Sequence, residues 1–243
     1  MFRHRGKART FRHNFKLAAF LSFTAGLVNI CGVLSLGVLT TNVTGHFAYF
    51  AEGALKKDAL YSVYFLFYIL AFLLGSFISS FVTELLIDKQ RASPHSAVMF
   101  MEIFILLMLG MWGDAFISAG VSKPFIACIL LFAMGLQNSL VTKISNSTVR
   151  TTHLTGLFTD LGIELSQLFF YKEKDERKQL WRSIGLHGSI IVFFFSGCVT
   201  GGFLYAGLKF KILLIAVATL TIALMYDNIR LSYYRIMRLR KRN

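Results

Sequence analysis

The chain has 243 residues, of which 55% are hydrophobic and 16% charged, with 26 lysine and arginine residues against 12 acidic ones. Its mean hydropathy of +0.60 is high for a water-soluble domain, and long apolar stretches without charges are typical of membrane spans. A water-soluble helical bundle would need helices with one polar face, whereas these stretches are apolar on all sides. The composition therefore predicts an all-α membrane protein.

In chain order, a basic arm (1–16) precedes the first apolar stretch and carries six basic residues and no acid. That stretch is too long for the core of a signal peptide and no A-x-A-like cleavage site follows it, so we expect an uncleaved first helix. Each apolar stretch supplies the roughly 20 residues that a helix needs to cross a bilayer. The six predicted spans are 17–38, 59–87, 97–117, 124–142, 184–207 and 212–229.

The basic residues are distributed unequally between the two sides of the membrane. If the N-terminus is cytoplasmic and six spans alternate, 21 basic residues fall on the cytoplasmic side and five on the other. The positive-inside rule then predicts that both termini are cytoplasmic. We expect the basic arm and the basic tail (230–243) to contact anionic lipid head groups. The net charge of +14 therefore needs no nucleic-acid partner.

Two short sequences are nearly repeated. "TTNVTGHF" at 40–47 returns 111 residues later as "TTHLTGLF", and "GLVN" at 26–29 returns 109 residues later as "GLQN". In each copy a span with G-L-x-N leads to T-T-x-x-T-G, then to a short amphipathic piece and two further spans. The repeat predicts two units, 17–117 and 118–229. Because each unit has an odd number of spans, the second would be inverted, as in many secondary transporters.

The T-T-x-x-T-G segments are predicted to break the helix. Since threonine is a competent N-cap, we expect the first helix to end near Thr40 and a new one to begin at Thr44-Gly45. The new helices, about 45–55 and 156–170, are too short to cross, so they re-enter the bilayer or lie along its surface.

If these short helices re-enter, their N-termini would offer amides, hydroxyls and a partial positive charge to a shared polar site. The alternative is a sealed interfacial cap in which the threonines bond to the preceding turn. The predicted substrate-binding residues are Thr40, Thr41, Thr44, Gly45, Thr151, Thr152, Thr155, Gly156, Asn29 and Asn138.

Ionisable residues in or beside a membrane are costly and are candidates for binding a coupling proton or Na⁺. The candidates are Asp160, Glu164, Glu52, Glu102, His46 and His153. Asp160 and Glu164 lie one turn apart, which puts them on one face of the second short helix. The alternative is that such acids face interfacial water, and Glu102 is close enough to its span end to snorkel to the cytoplasmic edge.

The quoted segments resemble the two signature blocks of the YoaK-like family, bacterial inner-membrane proteins of unknown function. That family has G-x-Q-N followed by T-T-x-x-T-G in its second block, and Gly135, Gln137, Asn138 and residues 151–156 match it closely. In the first block Asn29 stands where an aspartate is common, which weakens any case for a coupling carboxylate in span one. The resemblance implies a six-span bacterial inner-membrane protein and does not indicate a substrate.

The function expected is that of a small-molecule or ion secondary transporter with its polar site between the two units. A scaffold or partner-binding protein is the alternative, and a homodimer is plausible. An enzyme is less favoured, because the sequence has no H-E-x-x-H motif, no nucleophile elbow and no metal-spaced histidine or cysteine cluster. We therefore expect no catalytic residue, no metal and no cofactor. The three cysteines are predicted to be small packing residues.

Overall fold

The computed structural model describes the backbone of residues 11–89, 94–145 and 147–240, and side chains within 15–89, 94–145 and 147–226. These ranges contain eight α-helices, a short 3-10 helix and no strand. The helices are α1 (Phe11–Leu36), α2 (Val43–Leu55), α3 (Ala59–Asp88), α4 (Pro94–Ser118), α5 (Lys123–Ser145), α6 (Leu154–Gln167), α7 (Lys174–Leu208) and α8 (Leu213–Arg240), with the 3-10 helix at Lys209–Ile212. The predicted all-α class is confirmed.

Five segments of the described chain are long and apolar enough to cross a membrane. They are Phe15–Leu36, Ala59–Asp88, Pro94–Ser118, Lys123–Ser145 and Lys174–Tyr226. The first four coincide with the first four predicted spans. The fifth has 53 residues and holds both remaining predicted spans, together with the 3-10 helix between them. The chain is therefore a multi-pass membrane protein. The ends of the basic arm and of the basic tail, and the side chains of the whole tail, lie outside the described residues.

The first helix ends earlier than the sequence predicts. α1 stops at Leu36, because Gly37 takes a left-handed conformation (φ 73) that a residue without a side chain adopts at little cost. The chain then folds back along α1, so that a side chain at Gly32 would overlap the methyl group of Thr40. The segment that the sequence places at a helix end thus lies against the flank of its own helix.

The expected start of the second helix at Thr44 is wrong by one residue, and its cap is not a threonine. Asn42 is the N-cap of α2, and its side-chain oxygen accepts a hydrogen bond from the Gly45 N–H at 3.0 Å. Asparagine is a stronger N-cap than threonine. In the second copy His153 occupies the N-cap position and makes no side-chain cap bond.

Two helix pairs, α1 with α7 and α3 with α5, form the main packing contacts of the molecule. Both pairs meet at an F-x-x-G sequence on each helix. A side chain added at Gly26 would overlap the carbonyl oxygen of Phe194, and one at Gly197 would overlap that of Phe23. Gly75 and Gly135 stand in the same reciprocal relation to Phe132 and Phe72. The glycines let the two backbones touch, which is how small residues promote helix association in membranes.

The contacts also fix the relative direction of the helices. α3 and α5 run parallel, since Ser76 bonds to the carbonyl of Gly135 and, eight residues further along each helix, Glu84 pairs with Lys143. α1 and α7 run parallel by the same criterion: Gly26 meets Phe194, and Ile30 meets Gly201 further along.

α4 and α8 are antiparallel, because Gly113 meets Phe210 whereas the earlier Gly110 meets the later Leu214. α8 is antiparallel to α1 as well, since Lys16 near the start of α1 reaches Tyr226. The chain therefore reverses direction between α7 and α8. The 3-10 helix makes this reversal, with Lys209 at φ 45 and the ring of Phe210 buried.

Candidate functional site

The first Thr-Gly corner (residues 40–45) is held in place by an asparagine of α1. The Asn29 side-chain oxygen accepts hydrogen bonds from the Thr40 N–H at 3.1 Å and from the Thr41 hydroxyl at 3.0 Å. Thr40 itself is fully buried. Asn29 therefore fastens the corner to the helix from which it emerges, rather than bonding to a neighbouring helix.

The second Thr-Gly corner (residues 151–156) repeats this bond. The Asn138 side-chain oxygen accepts from the Thr152 hydroxyl, also at 3.0 Å. Beneath it the buried Gln137 amide donates to the Leu21 carbonyl of α1 at 2.9 Å and contacts the Thr151 hydroxyl at 3.5 Å. The threonine-to-asparagine bond is thus common to both corners. Thr41 and Thr152 thus bond to asparagines that stand 12 and 14 residues earlier in the chain.

One cavity of about 590 Å³ lies between the two corners. Both corners contribute to its wall, together with the first turns of α2 and α6 and a phenylalanine of α3. Its lining residues are Thr41, Asn42, Val43, Thr44, Gly45, Ala48, Phe72, Asn138, Thr152, His153, Leu154 and Thr155. This volume lies within the range of sites for small molecules.

The predicted binding residues divide into two sets. Those that line the cavity are Thr41, Thr44, Gly45, Asn138, Thr152 and Thr155. Those that lie behind the wall are Thr40, Thr151, Asn29 and Gly156. The second set supports the first: Asn29 holds its corner, and Gly156 leaves room for the His153 ring, which a side chain there would overlap.

Sequence reasoning missed two polar or aromatic parts of the wall. Asn42 could have been found, because asparagine immediately before a predicted helix start is the strongest cap signal. Phe72 could not, since it reaches the cavity only through the packing of α3 on α5.

No charged side chain contributes to the cavity wall among the described residues. The polar groups there are hydroxyls, amides, one imidazole and the backbone at the starts of α2 and α6. A helix N-terminus carries unpaired N–H groups and roughly half a positive elementary charge. The wall therefore offers hydrogen bonds and two weakly positive helix ends to whatever enters.

The two histidine candidates occupy different environments. His153 lines the cavity, whereas His46 lies outside its wall. His46 is 2% exposed, and its Nε2 contacts the Leu39 carbonyl at 2.7 Å, with the ring of Tyr68 alongside. Burial lowers the pKa of His46, against a smaller opposite effect of that hydrogen bond. His46 is thus a neutral packing residue in this arrangement.

Two of the acidic candidates are exposed on the surface of the protein. Glu52 on α2 is 41% exposed and pairs with Lys56, one turn later, at 2.6 Å. Asp160 on α6 is exposed and does not join Glu164 in a common site, because Glu164 bonds to Ser183 and His187 of α7.

Glu102 does not snorkel to the cytoplasmic edge. Its side chain is fully buried in α4, and neither carboxyl oxygen has a hydrogen-bond partner among the described residues. It contributes nothing to the cavity wall. The structure thus separates it from the Thr-Gly corners.

Glu164 belongs to a cluster of three polar side chains that the sequence did not indicate. One carboxyl oxygen accepts a hydrogen bond from the Ser183 hydroxyl, and the other lies 3.0 Å from His187 Nδ1. Glu164 and His187 are each 13% exposed. Ser183 and His187 belong to α7, so the cluster ties the short helix α6 to a long one. Residues 19 and 23 positions away carry no local signal of this contact.

The long apolar helices and the polar cavity between them define a multi-pass α-helical membrane protein. The chain belongs to the family described as "Protein of unknown function (DUF1275)", whose model matches residues 17–226. It is also similar to the "UPF0700 transmembrane protein YoaK" of Bacillus subtilis (strain 168), with 25% identity over 188 residues, covering 75% of this chain and 80% of that protein. No solved structure matches the chain.

These comparisons confirm the resemblance drawn from the two signature blocks. The matched region includes all five apolar segments apart from the first two residues of the earliest one. The family and its relative establish a transmembrane protein and leave its activity open.

Proposed function

We propose that this protein is a secondary transporter that binds a small polar or anionic solute in the cavity between the two Thr-Gly corners. The observation that carries the proposal is the shared wall: Thr41, Thr44 and Gly45 from one corner face Thr152 and Thr155 from the other. If the two corners were only helix caps, they would not need to line the same cavity.

The proposal includes six spans in two inverted units. α1 and α7 run parallel, α3 and α5 run parallel, and α8 runs antiparallel to both α1 and α4. Six alternating crossings give each of these directions, with α7 and α8 as the fifth and sixth. The matching F-x-x-G contacts and matching threonine-to-asparagine bonds support the two-unit division into 17–117 and 118–229.

The polar groups of the cavity wall indicate which class of solute the cavity would bind. Hydroxyls, amides and two helix N-termini favour a solute with several hydrogen-bond acceptors or a negative charge. The cavity wall carries no charged side chain among the described residues, so it would bind such a solute weakly enough to release it. α2 and α6 would re-enter the bilayer, since a break in a helix at depth is tolerated where it lines a cavity.

The remaining parts of the proposal concern the surroundings. The protein would lie in the bacterial inner membrane with both termini cytoplasmic, and the basic arm and tail would contact anionic lipids. It would act without a cofactor and without catalysing a chemical reaction. A homodimer is compatible with this arrangement and plays no part in the site.

A thermal-shift screen of the purified protein in nanodiscs against inorganic anions, small carboxylates, amino acids and sugars tests the site. Solutes that raise the melting temperature should lose their effect with Thr44→Val and with Thr155→Val, since each change removes one hydroxyl from the wall. Thr219→Val, on α8, removes a hydroxyl that bonds to its own helix and should leave the shifts intact. Normal shifts with both cavity variants would exclude this site and leave the scaffold function.

A further inference from the structure

We propose that Glu164, Ser183 and His187 form a proton-binding site that controls how firmly α6 is held against α7, and with it the position of the second Thr-Gly corner. The inference deepens the proposed function by assigning its coupling ion. It rests on that function only for the link between the position of α6 and solute binding.

The hydrogen-bond geometry defines where the proton goes. When Glu164 is ionised, its carboxylate only accepts hydrogen bonds, and His187 Nδ1 then carries the hydrogen that the two residues share. Proton uptake then occurs at Nε2 and leaves an imidazolium beside the carboxylate. A charge-assisted bond of this kind is roughly twice as strong as a neutral one.

α6 connects this site to the cavity. Its first residues, Leu154 and Thr155, line the cavity, and Glu164 follows nine residues later on the same helix. α7 is the main helix on which α6 packs, and the Glu164 cluster is part of this contact. A change in the strength of this contact therefore moves or frees one side of the cavity wall.

The first copy lacks the site. If α3 and α7 are aligned by their F-x-x-G sequences, Phe65 stands at the place of His187, and Gly53 stands at that of Glu164 when the corners are aligned. Gly53 packs directly on Tyr61 and Ser62 of α3, and a side chain there would overlap them. The short helix of the first copy is thus held by close packing on α3 and by a hydrogen bond from the Ser62 hydroxyl to the Phe50 carbonyl, with Gly53 and Phe65 where the second copy has its carboxylate and histidine.

Few other charges act on the cluster. On α6 and α7 near this level the charged side chains are Asp160 and Arg182, both exposed. α1, which also packs on α7, has Lys16 as the one charged residue of its described side chains, and this residue donates to Tyr226. Lys209 and Lys211 follow at the far end of α7, beyond the F-x-x-G contact.

The test is a comparison of cysteine reactivity in the two corners. Thr155→Cys and Thr44→Cys are made separately in a chain whose native cysteines are alanine, and N-ethylmaleimide labelling rates are measured in nanodiscs from pH 5.5 to 8.5. The ratio of the two rates removes the part of the pH dependence that the two thiols share. We expect this ratio to rise by about threefold to tenfold with pH, because the neutral pair holds α6 less firmly.

Glu164→Gln and His187→Phe should each flatten the ratio, while Glu52→Gln, which removes an exposed acid from the other short helix, should leave its rise intact. A monodisperse elution profile and a retained melting transition identify folded variants. One folded variant of the two cluster residues is enough for the test. A flat ratio in the parent chain, or a persistent rise in the cluster variants, would overturn the proposal. The labelling needs no solute, so it can succeed when the solute screen fails and fail when the screen succeeds.

Discussion

At the scale of single residues, two asparagines determine the shape of the site. Asn29 and Asn138 each hold a threonine hydroxyl of the following corner at 3.0 Å. Asn29 in addition accepts the Thr40 N–H. An unpaired backbone N–H in a membrane interior is costly. The first corner therefore depends on its asparagine more than the second does.

This difference is testable by substitution. Asn29→Ala should lower the free energy of unfolding by about 2 kcal/mol and Asn138→Ala by about 1 kcal/mol, since the first removes two hydrogen bonds and the second one. Unfolding by SDS in mixed micelles measures both. Combining Asn138→Ala with Thr152→Val should cost less than the sum of the single changes; strict additivity would show that the bond contributes nothing.

At the scale of helices, packing depends on four glycines in equivalent places. Each stands three residues after a phenylalanine, and the carbonyl of a phenylalanine on the partner helix occupies the space where a side chain would be. The same arrangement joins α1 to α7 and α3 to α5. Because the two helix backbones touch there, these glycines fix how closely the two predicted units approach each other.

Alanine substitution at these positions should destabilise the protein. Gly26→Ala and Gly135→Ala should each lower the free energy of unfolding by about 1–3 kcal/mol, because the new methyl group forces the helices apart. Gly188→Ala is the matched control. Gly188 is also helical, but nothing lies within 4 Å of the added carbon, so alanine there should be neutral or stabilise by up to about 1 kcal/mol. Equal effects at all three positions would contradict the close-packing role.

At the scale of the whole molecule, the directions of the helices are those expected for the proposed six crossings. Five segments qualify as spans by length and composition, and the fifth contains the reversal at Lys209–Ile212. In the proposed topology this reversal lies outside the membrane, between α7 and α8, so each of these two helices would form a crossing. Both termini would then lie on the same side, as the positive-inside rule also predicts.

Cysteine labelling in intact cells checks this topology. A membrane-impermeant thiol reagent should modify Lys56→Cys and Ser122→Cys from outside. It should reach Lys89→Cys and Glu173→Cys only after permeabilisation, and reporters fused to both ends should both be active in the cytoplasm. The native cysteines are replaced in each case. Termini on opposite sides would mean five crossings and would rule out the inverted six-span arrangement.

Much of this protein follows from its sequence because the bilayer leaves few options. A chain with long apolar stretches must form helices there, since backbone groups in hydrocarbon can be satisfied only internally. The predicted spans and short helices agree with α1 to α6 apart from a few end residues, whereas α7 begins ten residues before the stretch predicted there and α8 ends eleven residues after its own. The corners could be identified from the sequence because nearly the same eight residues occur in both units. Their role as a wall of one cavity was a prediction from helix-end chemistry, and six of its ten residues line that cavity.

Only the tertiary structure shows the contacts between residues that are far apart in the chain. His187 approaches Glu164 across 23 positions, Phe72 joins a wall built by residues of other segments, and Asn29 turns back to its own corner instead of to a neighbouring helix. Periodicity and composition show which face of a helix is apolar, but they do not show which helix it meets or at what height. That choice comes from the close approach of backbones at four glycines, which only the packed chain displays.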